Sequence, residues 1–283
     1  MKLTRWVIAG VISLLFLSLL AGCAAFIKGD RKEHYASSTV EYLYPSQEVV
    51  NVPTIPHLSL PLRVGVAFVP GADGITGKSV LSEKEKMDLM ERIVPEFRKL
   101  PFVKDIEIIP SAYLTRGGGF TNVDQIRTMY GIDVIALLSY DQVQHTDQGL
   151  LSLSYWTIIG AYLIEGEKND TSTMVDAAVY DIASRKMLFR APGTNHIKNA
   201  ATPINLSEQL RIDSYDGFFS ASDDLIINLQ NELERFKVKV KEMPQEYVVK
   251  HKTGYTGGGS VGGAFALLLL SLGGLALWRG RNR

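Results

Sequence analysis

From Leu62 onward the chain alternates short apolar blocks with polar stretches of helical period. Leu62-Arg63-Val64-Gly65-Val66-Ala67-Phe68-Val69 is rich in valine and closes at Pro70, which predicts a buried strand. Ser82-Glu83-Lys84-Glu85 has capping-box spacing and predicts a helix to about Leu100. Met87, Met90, Ile93, Val94 and Phe97 give that helix one apolar face, and Pro95 marks a kink or its last turn. Phe102 to Ile109 reads as a second strand and Arg116-Gly117-Gly118-Gly119 as a loop. Thr121 with Asp124 opens a short helix that stops at Gly131, and Ile132 to Tyr140 forms a third strand.

The later half changes character. Leu150 to Ile164, Thr173 to Tyr180 and Lys186 to His196 read as successive strands, joined by turns at Glu167-Lys168-Asn169-Asp170 and Ala183-Ser184-Arg185. A last helix is expected from about Phe218 to Val240, with Leu225, Ile226, Leu229, Leu233 and Phe236 on one face. The sum predicts an α/β (or α+β) domain over residues 61–243, with a single mixed β-sheet packed by two or three helices. Three stretches carry a resemblance: the opening strand ending in Pro70, Gly131-Ile132-Asp133-Val134, and the run from Val179 to Leu188. In them the order is similar to TolB N-terminal and CsgG-like periplasmic modules, an analogy that sets a fold expectation only.

Before this domain, residues 23–60 are polar and marked by Pro45, Pro53 and Pro56. They read as a tether, either mobile or laid against the body as a short strand or turn pinned by Tyr42 and Tyr44. Residues 244–256 read as a linker.

Charge changes the picture at the two ends. The chain of 283 residues balances 30 Lys+Arg against 30 Asp+Glu, which gives no electrostatic case for nucleic acid. Yet Lys2, Arg5, Arg279, Arg281 and Arg283 are terminal, leaving a mildly acidic middle between cationic, apolar ends. The single cysteine excludes a disulfide framework and a zinc site of several thiolates. Lys2 and Arg5 precede the apolar run Trp6 to Leu20, too short to span a bilayer, and Leu20-Ala21-Gly22-Cys23 follows. This segment resembles the bacterial lipoprotein lipobox. The resemblance implies a signal peptide over 1–22, recognised at Leu20, Ala21 and Gly22, and a lipidated Cys23 as the mature first residue. Ala24 in place of aspartate implies, by the same family rule, the outer membrane.

At the other end, Gly257-Gly258-Gly259-Ser260 leads into an uncharged run over 261–278, long enough to span, and then an arginine-rich terminus. Glycines beside a membrane helix weaken it and leave backbone for a protease to grip. The tail over 257–283 resembles a GlyGly-CTERM sorting signal, the substrate of the intramembrane protease rhombosortase. That implies C-terminal processing at Gly257, Gly258, Gly259 or Ser260 and a transmembrane helix over 261–278 in the precursor. Lipobox and tail together resemble the rhombotarget lipoprotein family. The resemblance implies lipoprotein-processing enzymes, a rhombosortase-like protease and membrane lipid as partners, and concerns address more than activity.

Chemistry is sparse. Ala72-Asp73-Gly74-Ile75-Thr76-Gly77-Lys78-Ser79 fits a relaxed phosphate-loop pattern, but a helix starting at Ser82 leaves Lys78 and Ser79 off its first turn. Gly258-Gly259-Ser260-Val261-Gly262 matches a nucleophile elbow in form only, since a membrane segment follows it. His34, His57, His145, His196 and His251 show no pair at metal-ligand spacing, and His145 near Asp147 reads as a solvated turn. Asp223-Asp224, and Asp213 near Asp216, read as acids at or near a helix start. Leu150 to Ile164, with Trp156 flanked by Tyr155 and Tyr162, reads as a buried strand or hairpin, or as an aromatic contact patch. No catalytic, metal or cofactor residue is assigned. The expectation is a non-enzymatic envelope lipoprotein that binds an envelope protein partner. The alternatives are a structural oligomer or secretion-pore component, and then a hydrolase or nucleotide-binding enzyme.

Overall fold

The computed structural model describes residues 31–46, 54–71, 80–148, 167–202 and 204–252. Chain order is β1 (Arg31–Ala36), α1 (Thr39–Leu43), β2 (His57–Leu60), β3 (Leu62–Phe68), α2 (Glu83–Arg98) and β4 (Val103–Ile108). A short 3₁₀ turn, α3 (Gly119–Tyr130), β5 (Val134–Gln148), β6 (Glu167–Asp181), β7 (Lys186–Ala201), α4 (Leu206–Glu242) and β8 (Val248–His251) follow. One mixed sheet runs β4-β3-β5-β6-β7, parallel across its first three strands and antiparallel across the last three. The protein is thus an α/β domain built on one large mixed sheet packed by helices, as its apolar pattern predicts.

β5 organises the sheet. Val134 to Leu138 pair with β3, whereas Asp141 to Thr146 pair with β1 on that same edge. β6 takes the whole of the other edge. The predicted tether therefore contributes structure: β1, α1 and β2 all lie within residues 31–60. Tyr42 of α1 is buried and donates its hydroxyl to Asn122 of α3 at 2.8 Å, and Tyr44 meets Phe120 edge-on. Burial pushes the Tyr42 phenol well above its ordinary pKa.

Alternation along the strands sorts the core into two layers. One face packs Ala67, Val69, Ile135 and Leu137 against α1 and α3, through Leu43, Phe120, Val123 and Ile126. The other packs Val66, Phe68, Leu138, Val175 and Ala177 against α2 and α4, through Leu89, Met90, Ile93, Phe218 and Leu225. Each of the larger side chains (Val, Leu, Ile, Phe, Met) contributes about 1.5–3 kcal/mol on full burial. The expected capping box of α2 forms at Ser82 and Glu85, and Pro95 lies inside the helix three residues before its end. Gly131 ends α3 in the left-handed region at φ 63°, where a side chain is disfavoured.

Four local readings are corrected. Glu167 to Asp170 form the start of β6, and His145 and Asp147 belong to β5, so neither stretch is a turn. The last helix begins at Leu206, twelve residues before Phe218, which places Asp213, Asp216, Asp223 and Asp224 inside it. Residues 244–256 include β8, which pairs in parallel with β2. A shared cause lies behind the first three corrections. The distal sheet is buried yet polar: Gln142 donates to Thr173 Oγ1 at 2.8 Å and to the Ser214 carbonyl of α4 at 3.2 Å. Gln144 donates to the Leu210 carbonyl at 2.9 Å. Hydrogen bonds replace apolar contact here, so hydrophobic periodicity does not register these elements. The aromatic run Leu150 to Ile164 and the phosphate-loop-like residues 72–79 lie outside the described residues.

Candidate functional site: an apolar cleft between α2 and α4

The two helices on one face lie side by side, joined where Arg92 of α2 reaches Asp223 of α4. Beyond that junction they leave a cavity of about 1070 Å³ over the sheet. Ile93, Val94 and Phe97 form the α2 wall, and Leu229, Leu233, Phe236 and Val240 form the α4 wall. Val64 and Val66 of β3, Ala136 of β5 and Val179 of β6 lie along the floor. Leu58 and Leu60 of β2 and Val249 of β8 line one end. The volume lies just above the ~300–1,000 Å³ usual for small-molecule sites.

Burial shows that the cleft is open and not simply core. Val64 and Ala136 lie on the two central strands, where a covering helix ordinarily excludes water. Both are only half-buried, as are Phe97, Phe189 and Phe236. Other lining residues of the sheet, such as Leu138 and Ala177, are buried.

Among the described lining residues only Lys237, Lys241 and His251 carry a polar side chain, and no carboxylate is among them. Lys237 holds its ammonium 5.2 Å from the centroid of the Phe102 ring and pairs with the exposed Glu234 at 2.6 Å. Four residues further along α4, Lys241 falls on the same side of the helix. Beside the cleft, Tyr247 packs edge-on to Phe236, and its hydroxyl raises the pKa of the Lys239 ammonium. The arrangement can hold an elongated apolar group and meet a negative charge at its mouth. Its described residues present no nucleophile–base pair.

The processing residues inferred from the ends, Leu20, Ala21, Gly22, Cys23 and Gly257 to Ser260, lie outside the described residues. So does the run 261–278; no described helix is long and apolar enough to cross a membrane. The histidines are spread over β1, β2, β5, β7 and β8, and no metal-binding cluster occurs among the described residues. His34 meets Asp141 at 2.9 Å and His196 meets Asp170 at 2.8 Å, both as exposed cross-strand pairs. The cleft was not apparent from sequence. One signal pointed to it: the apolar stripe of α4 runs on through Leu233, Phe236 and Val240, well past the length of α2 that could cover it.

No family model and no curated protein matches the chain. Solved structures give weak likenesses. A protein described as a neuraminyllactose-binding hemagglutinin homolog from Helicobacter pylori aligns at 8% identity and TM-score 0.35, over 71% of this chain and 98% of its own. A DUF330 family protein from Xanthomonas campestris aligns at 8% identity and TM-score 0.29, over 66% and 94%. The PelC dodecamer from Paraburkholderia phytofirmans aligns at 8% identity and TM-score 0.25, over 69% and 98%. Likenesses this slight transfer neither family nor function to this chain.

Proposed function

We propose that this chain is an exported bacterial envelope lipoprotein with a non-enzymatic accessory role, and that it binds an apolar partner in the α2–α4 cleft. The observation that carries the second half is that Val64 and Ala136, on central strands of the floor, are only partly buried and are left for something else to cover. The first half rests on the end motifs, Leu20-Ala21-Gly22-Cys23 and Gly257-Gly258-Gly259-Ser260 before an apolar run. In this reading Cys23 carries the acyl anchor and a rhombosortase-like protease removes the tail. The mature protein then resides in the outer membrane or at the cell surface.

Two measurements test the two halves separately. Intact mass analysis of the mature protein is expected to show acyl groups at Cys23 and loss of the residues after the glycine cluster. A neutral naphthylamine dye is expected to brighten on binding the protein and to be excluded by Ala136→Phe, which fills the floor. A dye signal equal in wild type and Ala136→Phe overturns the cleft reading. An unmodified mass overturns the address.

A further inference from the structure

We infer that the occupant of the cleft is one anionic diacyl phospholipid, its chains between α2 and α4 and its phosphate at Lys237 and Lys241. The inference rests on the cleft reading proposed above and deepens it. Three observations carry it. The first is capacity: a methylene is close in size to a water molecule, which takes about 30 Å³. A cavity of about 1070 Å³ therefore holds roughly thirty-five such groups. That is room for two chains of roughly sixteen carbons.

The second observation is charge. Among the described residues of the lining, Lys237 and Lys241 are the charged side chains, and no carboxylate faces the interior. Glu234 engages Lys237 from the exposed side of α4 and lies outside the lining. A phosphate at the mouth meets two ammonium groups spaced four residues apart on one helix, a charge-assisted contact. The third observation disfavours the chain's own apolar ends as occupants. The run 261–278 is followed by Arg279, Arg281 and Arg283, and the run from Trp6 follows Lys2 and Arg5. Each would bring cations to a cationic mouth.

The test uses the full chain, purified in a neutral detergent and examined by native mass spectrometry. Phosphatidylglycerol and phosphatidylcholine of equal chain length are added in equal amount. One bound phosphatidylglycerol per protein is expected, favoured at least fivefold over phosphatidylcholine. Ala136→Phe and, at the mouth, Val240→Trp are each expected to remove the adduct; two variants guard against one failing to fold, which circular dichroism checks. Lys237→Glu combined with Lys241→Glu is expected to abolish the head-group preference while retaining lipid. Adducts unchanged by both filling variants overturn the proposal, as does equal binding of the two lipids by wild type. An adduct that appears only when Cys23→Ala removes the chain's own acyl groups shows that those groups fill the cleft, and also overturns it. If the naphthylamine dye binds but no phospholipid does, the phospholipid falls and the apolar cleft stands.

Discussion

Arg92 of α2 grips Asp223 of α4 through both carboxylate oxygens, donating from Nε at 2.7 Å and from Nη2 at 2.8 Å. Its guanidinium also lies 4.9 Å from the centroid of the Phe219 ring. This clamp joins the two helices, and the cleft begins one residue further along α2, at Ile93. Both partners are open to solvent, at 40% and 52%, so the pair contributes only about 0.2–1 kcal/mol. Arg92→Ala is therefore expected to shift a urea midpoint slightly while loosening one end of the cleft, read as weaker dye binding. A stability loss above about 2 kcal/mol with unchanged dye affinity contradicts that division of roles.

Gly193 sets how closely α4 approaches the sheet. A methyl group added there runs into the Ala221 carbonyl oxygen and the Leu225 nitrogen, both backbone atoms of α4. Neither can rotate away, so the helix must lift from β7. Gly193→Ala is expected to cost about 1–3 kcal/mol, the range for overpacked cores, measured by urea unfolding. A change under about 0.5 kcal/mol would falsify the claim that α4 is seated at this point.

Glu83 gives the stability a pH dependence of defined sign. Burial alone pushes its carboxyl up, but hydrogen bonds from Ser111 and from the buried Lys86 ammonium, at 2.9 Å, outweigh that and hold it below its ordinary value. A carboxyl depressed in the folded state stabilises above its unfolded pKa, about 4.3, and loses that contribution as pH falls through the folded value. The stability gap between wild type and Glu83→Gln should be constant near neutrality and close progressively below about pH 4.3. A gap that persists undiminished at pH 2 assigns the effect to packing instead.

The tail yields a prediction about processing. Replacing Gly257, Gly258 and Gly259 with leucine extends the apolar run outward and removes the pliable backbone, so full-length precursor should accumulate in the inner membrane. Mature wild-type protein that still ends in Arg283, with Trp278 intact, refutes the processing claim.

Elements with strong apolar patterning were legible in the sequence to within a few residues. β3, α2 and β4 lie where Leu62, Ser82 and Phe102 placed them, because local propensity and burial agree there, with the Ser82 cap for α2; α3 starts at Gly119, two residues before Thr121, with no side-chain cap. What escaped was polar burial. The first turns of α4 cover Gln142, Gln144, Thr171 and Thr173, and Asp213 within them is buried, accepting from Asn199 at 2.6 Å and Gln209 at 2.8 Å. A hydrophobic pattern cannot report such contacts. The cleft was hidden for a different reason: its residues read individually as ordinary core, and only the relation between two helices leaves Ala136 half-open.

The antiparallel seat of β1 on β5 fixes the length of a leash. Residues 23–60 read as a long spacer in sequence, but the chain is already pinned to β5 from Arg31. Under the proposed anchoring at Cys23, only the eight steps to Arg31 are left, at most about 28 Å when fully extended. A body held that closely stays beside the membrane that owns the lipid. It can exchange material with that bilayer across a short gap, but a partner in the opposite membrane must come to it.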